Sequence, residues 1–175
     1  MNKIIIAASV LMAYASATHA ANLFVMPDGS MDSMPTKGMQ IYEPPATKGN
    51  AAIAISTDNP AHGTGALKVE CESGIYVSIS FPMNNAIKTG RASVYLRGAI
   101  SNAETVTVGL QSFTMDGGFK SVDFVPVMDA KNRIGTDWQK FTFDLERDSR
   151  ATHWQLSFIL KGPGILWIDQ LEEIK

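Results

Sequence analysis

Five segments of this chain alternate apolar and polar residues with a period of two. In 74–81, Ile75, Val77, Ile79 and Phe81 share one parity and Tyr76, Ser78 and Ser80 the other. In 92–98, Val94 and Leu96 oppose Ser93, Tyr95 and Arg97. In 105–113, Val106, Val108 and Leu110 oppose Thr107, Gly109, Gln111 and Phe113. In 140–145, Phe141, Phe143 and Leu145 oppose Lys140, Thr142 and Asp144. In 154–161, Trp154, Leu156, Phe158 and Leu160 oppose Gln155, Ser157, Ile159 and Lys161. Successive side chains of a strand point to opposite faces, so each segment buries one face and wets the other. A helix needs apolar residues three and four apart, and only 146–152 has room for a turn or two of one. Turn-forming clusters separate the segments: Asp58-Asn59-Pro60, Met83-Asn84-Asn85, Asp116-Gly117-Gly118 and Gly162-Pro163-Gly164. The pattern predicts an all-β chain of about ten or eleven short antiparallel strands, as in a two-sheet sandwich or jelly roll. Residues 26–49, with Pro27, Pro35, Pro44 and Pro45, read as an N-terminal strand followed by long loops.

The first twenty residues stand outside this pattern. Lys3 is the only charge before Asp28, residues 4–13 are apolar, and small residues follow up to Ala20. A basic start, a short apolar run and a small-residue exit describe a secretory leader, and ten apolar residues are too few to span a bilayer. The expectation is cleavage after Ala20 or Ala17, one domain over 21–175, no membrane span after cleavage, and a secreted or periplasmic location. No linker composition and no internal repeat divides 21–175.

Composition removes several functions. The chain has 15 basic and 17 acidic residues and a net charge of −2, which gives no electrostatic footprint for nucleic acid. A lone cysteine, Cys71, makes neither an internal disulfide nor a multi-cysteine zinc site. Cys71 shares a strand parity with Leu67 and Val69 and is read as a core thiol. After the leader the histidines are His62 and His153, and neither lies in an HExxH; no G-x-S-x-G elbow occurs. The expectation is a protein that is not an enzyme. Met26, Met31, Met34 and Met39 crowd the irregular segment, either as fillers of uneven packing or as soft ligands for Cu(I).

Four segments, in order, carry a resemblance. They are NLFVMPDGSMD at 22–32, STDNPAHGTGALKV at 56–69, AIKTGRASVYLR at 86–97, and 135–170 with GTDWQKFTFDL and LSFILKGPGILWIDQ. Together they resemble the carbohydrate-binding modules of the family 4/9/22 type, within the galactose-binding-like β-jelly rolls. The sequence departs from that pattern at Met31 and Asp32, where the family has phenylalanine and glutamate, and at Ala92, where an aromatic is usual.

The resemblance implies two sheets, one with strands near 51–56, 66–70, 93–97, 140–145 and 165–172, the other near 75–81, 105–113, 120–127 and 154–161. It implies that the open face of the second sheet takes a polysaccharide or oligosaccharide. The residues expected there are Tyr76, Ser78, Gln111, Phe113, Asp123, Gln155 and Ser157. Flat apolar rings suit the C–H faces of sugars, and amides, hydroxyls and carboxylates suit their OH groups. It implies a structural Ca²⁺ between the opening loop and the last strand, with Asp32 and Asp169 as ligands and either Asp58 or the carbonyls around His62 to Gly65 completing the shell. A separately encoded enzyme or a cell-surface structure is a conceivable partner. The competing expectation is an exported structural or adhesive β-sandwich that makes protein–protein contacts and binds no sugar.

Overall fold

The structure is a computed structural model, described here for residues 22–26, 29–35, 38–114, 120–131 and 133–175. The leader expected at 1–20 and the turn expected at Asp116-Gly117-Gly118 lie outside the described residues. Ten strands follow one another: β1 Gln40–Tyr42, β2 Ala52–Ser56, β3 Ala66–Cys71, β4 Tyr76–Pro82, β5 Thr89–Ala99, β6 Thr105–Thr114, β7 Lys120–Asp129, β8 Gln139–Glu146, β9 His153–Lys161 and β10 Gly164–Glu173. A single 3₁₀ turn, Pro45–Thr47, is the one helical element among the described residues. The expected room for helix at 146–152 is filled instead by a loop. Its Asp148 carboxylate accepts the Arg150 backbone N–H and pairs with the Arg150 guanidinium, which satisfies locally what a helix would satisfy along its ladder.

The strands form two five-stranded antiparallel sheets, ordered β1-β4-β9-β6-β7 and β2-β3-β10-β5-β8. These are the two expected groupings, with β1 added to the edge of the first. Alternation places Val77, Ile79, Phe81, Val106, Val108, Leu110, Leu156, Phe158 and Leu160 on the inner face of the first sheet. Leu67, Val69, Val94, Leu96, Phe143, Leu166 and Ile168 face them from the second. Phe81 and Phe158 meet edge to face at 5.7 Å. Such an interior is the ordinary consequence of two half-apolar sheets removing those halves from water. Trp154, of core parity, is fully buried, and its indole N–H donates to the Asn84 carbonyl. The opening segment closes one end of the core: Leu23, Phe24, Met26 and Met31 are buried in it, and Met34 and Met39 pack against it. Gap filling is therefore what these methionines do. Cys71 is buried; burial, then the charges of Glu43 and Glu70, push its thiol up to about 11, so it is not a nucleophile at neutral pH.

The outer face of the second sheet is occupied by its own cluster. The Arg97 guanidinium lies between the rings of Trp138 and Trp167, 5.1 and 4.4 Å from their centroids. The 58–62 loop folds over it: the Asp58 carbonyl accepts from Arg97 at 2.6 Å, and the Asn59 carbonyl accepts from the Trp138 indole at 2.7 Å. His62 packs on Tyr95 at 4.6 Å. The part of that face around Arg97 is covered by side chains and a loop, whereas the outer face of the first sheet carries an open groove.

Candidate functional site

The open face of the first sheet is floored by small polar residues. Ser80 of β4 pairs with Ser157 of β9, and Ser157 with Gly109 of β6. Cross-strand partners project to the same face, so three small residues in a row depress the middle of the sheet. The Ser80 and Ser157 hydroxyls lie 2.8 Å apart, with Ser78 Oγ 3.4 Å from Ser80 Oγ. One step along, Gln155 pairs with Gln111, and its amide N–H donates to the Gln111 carbonyl oxygen at 2.7 Å.

Larger side chains raise the two sides. Tyr42 of β1 sits opposite Ser78, and its ring meets that of Tyr76 edge to face at 6.4 Å. Burial, then the neighbouring Tyr42, push the Tyr76 phenol upward, so it stays a neutral hydrogen-bond donor. On the other side Phe124 of β7 is paired with Gln111, and its ring covers Gly109 so closely that a Cβ there would collide with it. Between these sides runs a groove of about 800 Å³. Among the described residues its lining contains no charged one: it combines tyrosine, phenylalanine and isoleucine with serine and glutamine. That chemistry suits a neutral ligand rich in hydroxyls with apolar C–H faces.

Of the seven residues expected on this face, Tyr76, Ser78, Gln111, Gln155 and Ser157 line the groove. Phe113 lies beyond it, lining a smaller cavity of about 280 Å³ that shares Gln40 and Gln155 with the groove. It is only 8% exposed and stacks against His153. Asp123 is not in the lining. It pairs with Ser112, whereas Phe113 pairs with Ser121 and Gln111 with Phe124. The register shift between Ser112 and Phe113 places one extra residue in β7, so Ser121 and Asp123 no longer share a face. Asp123 goes with buried Ser112, away from the groove. The same shift brings Phe124 into the groove, where sequence reading had no reason to put it. Gln40, Ile41 and Tyr42 were missed as well, because three strand residues in a proline-rich stretch are too few to show a period.

The three acids expected to hold calcium are not gathered in one place, and among the described residues no group of three or more His, Cys, Asp or Glu side chains is placed to hold a metal. Asp58 is 85% exposed and 3.9 Å from Arg97. Asp32 accepts from the Thr64 and Gly65 backbone N–H groups and from the Thr64 hydroxyl, which hold its carboxyl below the usual range. Asp169 is fully buried; Oδ2 accepts from the His62 N–H at 2.9 Å, and Oδ1 has no hydrogen-bond partner. Burial, the largest influence, pushes its carboxyl up. Of the three acids, Asp169 alone presents a buried oxygen that a cation would satisfy. Asp32 and Asp169 touch the same short loop, 62–65, from the opening segment and the last strand.

No protein-family model matches the sequence, and no curated protein matches it. Solved structures do. The CBM22-1 xylan-binding domain of Paenibacillus barcinonensis Xyn10C aligns over 89% of this chain and 99% of its own, with 12% identity and a TM-score of 0.61. The C-terminal family 22 carbohydrate-binding module of Clostridium thermocellum Xyn10B aligns over 88% and 95%, with 15% identity and a TM-score of 0.56. The TmCBM61 module, solved with β-1,4-galactotriose, aligns over 89% and 99%, with 13% identity and a TM-score of 0.50. No helix among the described residues is long and apolar enough to cross a membrane. Two five-stranded antiparallel sheets, one with an open groove, are thus the β-sandwich jelly-roll fold of carbohydrate-binding modules.

Proposed function

We propose that this chain is an exported, non-catalytic carbohydrate-binding module that takes a neutral linear glycan of the xylan class along the open face of its first sheet. The observation that carries the reading is the uncharged groove with a serine and glutamine floor between aromatic sides. Flat rings at Tyr42, Tyr76 and Phe124 cover the C–H faces of sugar rings; Ser78, Ser80, Gln111 and Gln155 exchange hydrogen bonds with hydroxyls. Charged polysaccharides would have to leave their carboxylates unpaired in such a lining, a desolvation cost that selects against them. Family 22 neighbours named for xylan binding support the choice of class. Export rests on the leader-like residues 1–20.

The proposal includes a structural Ca²⁺ held through Asp169, with Asp32 on the other side of the loop they share. Its contribution would be to neutralise a buried carboxylate and tie the opening segment to the last strand. Titration calorimetry with soluble xylan and xylo-oligosaccharides tests the function. Binding is expected in the wild type and is expected to weaken at least tenfold in Tyr76→Ala and in Gln155→Ala, each of which removes about 1.4 kcal/mol or more of contact. A wild-type protein that binds no neutral polysaccharide would overturn the reading.

A further inference from the structure

The groove does not end at Gln155. The smaller cavity adjoins it there, and both cavities share Gln40 and Gln155. Gln155 is 6% exposed, and its Oε1 is buried without a hydrogen-bond partner, although its amide nitrogen is committed to Gln111. A buried carbonyl oxygen without a partner costs free energy, and it belongs to a residue that lines both cavities, so a turn of the Gln155 side chain would offer it to an incoming hydroxyl. Past it stand Phe113 and His153, paired across β6 and β9, with rings nearly parallel at 13° and centroids 5.6 Å apart. The Thr152 hydroxyl engages His153 Nδ1 at 2.8 Å, which fixes the orientation of the imidazole over its neighbour. Phe113, almost fully buried, backs the half-buried His153 ring, which stands as one flat surface beside a polar junction.

Resting on the groove reading above, we infer that the site is bipartite: a neutral linear oligosaccharide lies in the groove, crosses Gln155, and places its next sugar ring against the His153 ring that Phe113 backs. Gln155 Oε1 accepts a hydroxyl at the crossing. The second part adds affinity only for chains long enough to reach it. The aromatic contact it supplies is of the size that adds up to about tenfold in affinity.

Calorimetry with xylotriose and xylohexaose reads this out as a ratio. The wild type is expected to bind the hexaose several-fold to about tenfold more tightly than the triose. His153→Ala is expected to collapse that ratio, and His153→Phe, which keeps a flat ring, to restore it. Tyr76→Ala is expected to weaken both ligands together. A His153→Ala protein that keeps the wild-type ratio while both ligands bind would overturn the bipartite site and leave the groove reading standing. Wild-type protein that binds neither ligand would bring down both. Thermal unfolding of each variant confirms that a lost ratio is not a lost fold; were His153→Ala unfolded, retention of the ratio by His153→Phe and its loss in His153→Ser would decide.

Discussion

Gly109 offers a way to disturb the groove without disturbing the fold. It lies on β6 between Ser157 of β9 and Pro126 of β7, and its backbone is not in the left-handed region, so alanine meets no backbone strain there. What a Cβ would meet is Phe124, within 2.5 Å of Cε2 and closer to Cζ. The obstacle is the far end of a side chain that is 37% exposed, and a ring so placed swings outward. Gly109→Ala should therefore gain about 0.4–1 kcal/mol from the lost flexibility of the unfolded chain, which is a rise of about 1–3 °C in Tm. Displacing Phe124 from over the groove should remove about 1 kcal/mol of ring contact, or about fivefold in affinity. Thermal unfolding and calorimetry with xylohexaose measure the two numbers on one preparation. Coupling supplies the control: in a Phe124→Ala background the Gly109→Ala change should cost no further affinity, since the ring it displaces is gone. A raised Tm with undiminished affinity would show that Phe124 is no wall of the glycan site. A fivefold loss that persists without Phe124 would place the effect elsewhere on the sheet.

Asp169 ties pH to stability and carries the calcium proposal. Its folded carboxyl is raised by burial, so in metal-free protein the stability gained from its protonation is present below the ordinary carboxylate range and lost as pH rises through the raised value. A chelator should lower Tm near neutral pH, and Asp169→Asn should abolish that response; a Tm indifferent to chelator would remove the calcium proposal. Trp138→Ala should cost about 2 kcal/mol in denaturant unfolding, from the lost bond to Asn59 and the lost face over Arg97, while xylan affinity stays as it was. Affinity lost in step with stability would mean that the outer face of the second sheet takes part in binding. Cys71 should react with a maleimide only in denaturant, and labelling of the native protein within minutes would contradict its burial.

Period-two alternation was enough to read five of the strands and the all-β class, because the side chains of a half-buried strand must sort by face; the two sheet groupings came from the resemblance. It was enough also for the floor: Ser78, Gln155 and Ser157 keep the parity their neighbours imply, and the register brings them together. Two features lay beyond it. The first is β1, whose three residues become a strand only by pairing with Ser78–Ser80, a contact between segments far apart in sequence. The second is the face of β7. Register shifts near Gly109 and Phe113 change which residues of β7 stand opposite β6, and an extra residue in one strand leaves no mark on the periodicity of either.

What the sequence by itself determined is therefore the all-β class and the parity that puts Ser78, Gln155 and Ser157 on one polar face, since each follows from where single residues sit relative to near neighbours, while the grouping into sheets was legible only through the order of its family-like segments. What only the tertiary structure decided is the rims: that Tyr42 and Phe124 stand over that floor, that Asp123 turns away from it, and that Phe113 lies beyond it, stacked on His153. Those are matters of register between strands, set by long-range backbone pairing, and a bulge of one residue is enough to exchange a carboxylate for an aromatic ring.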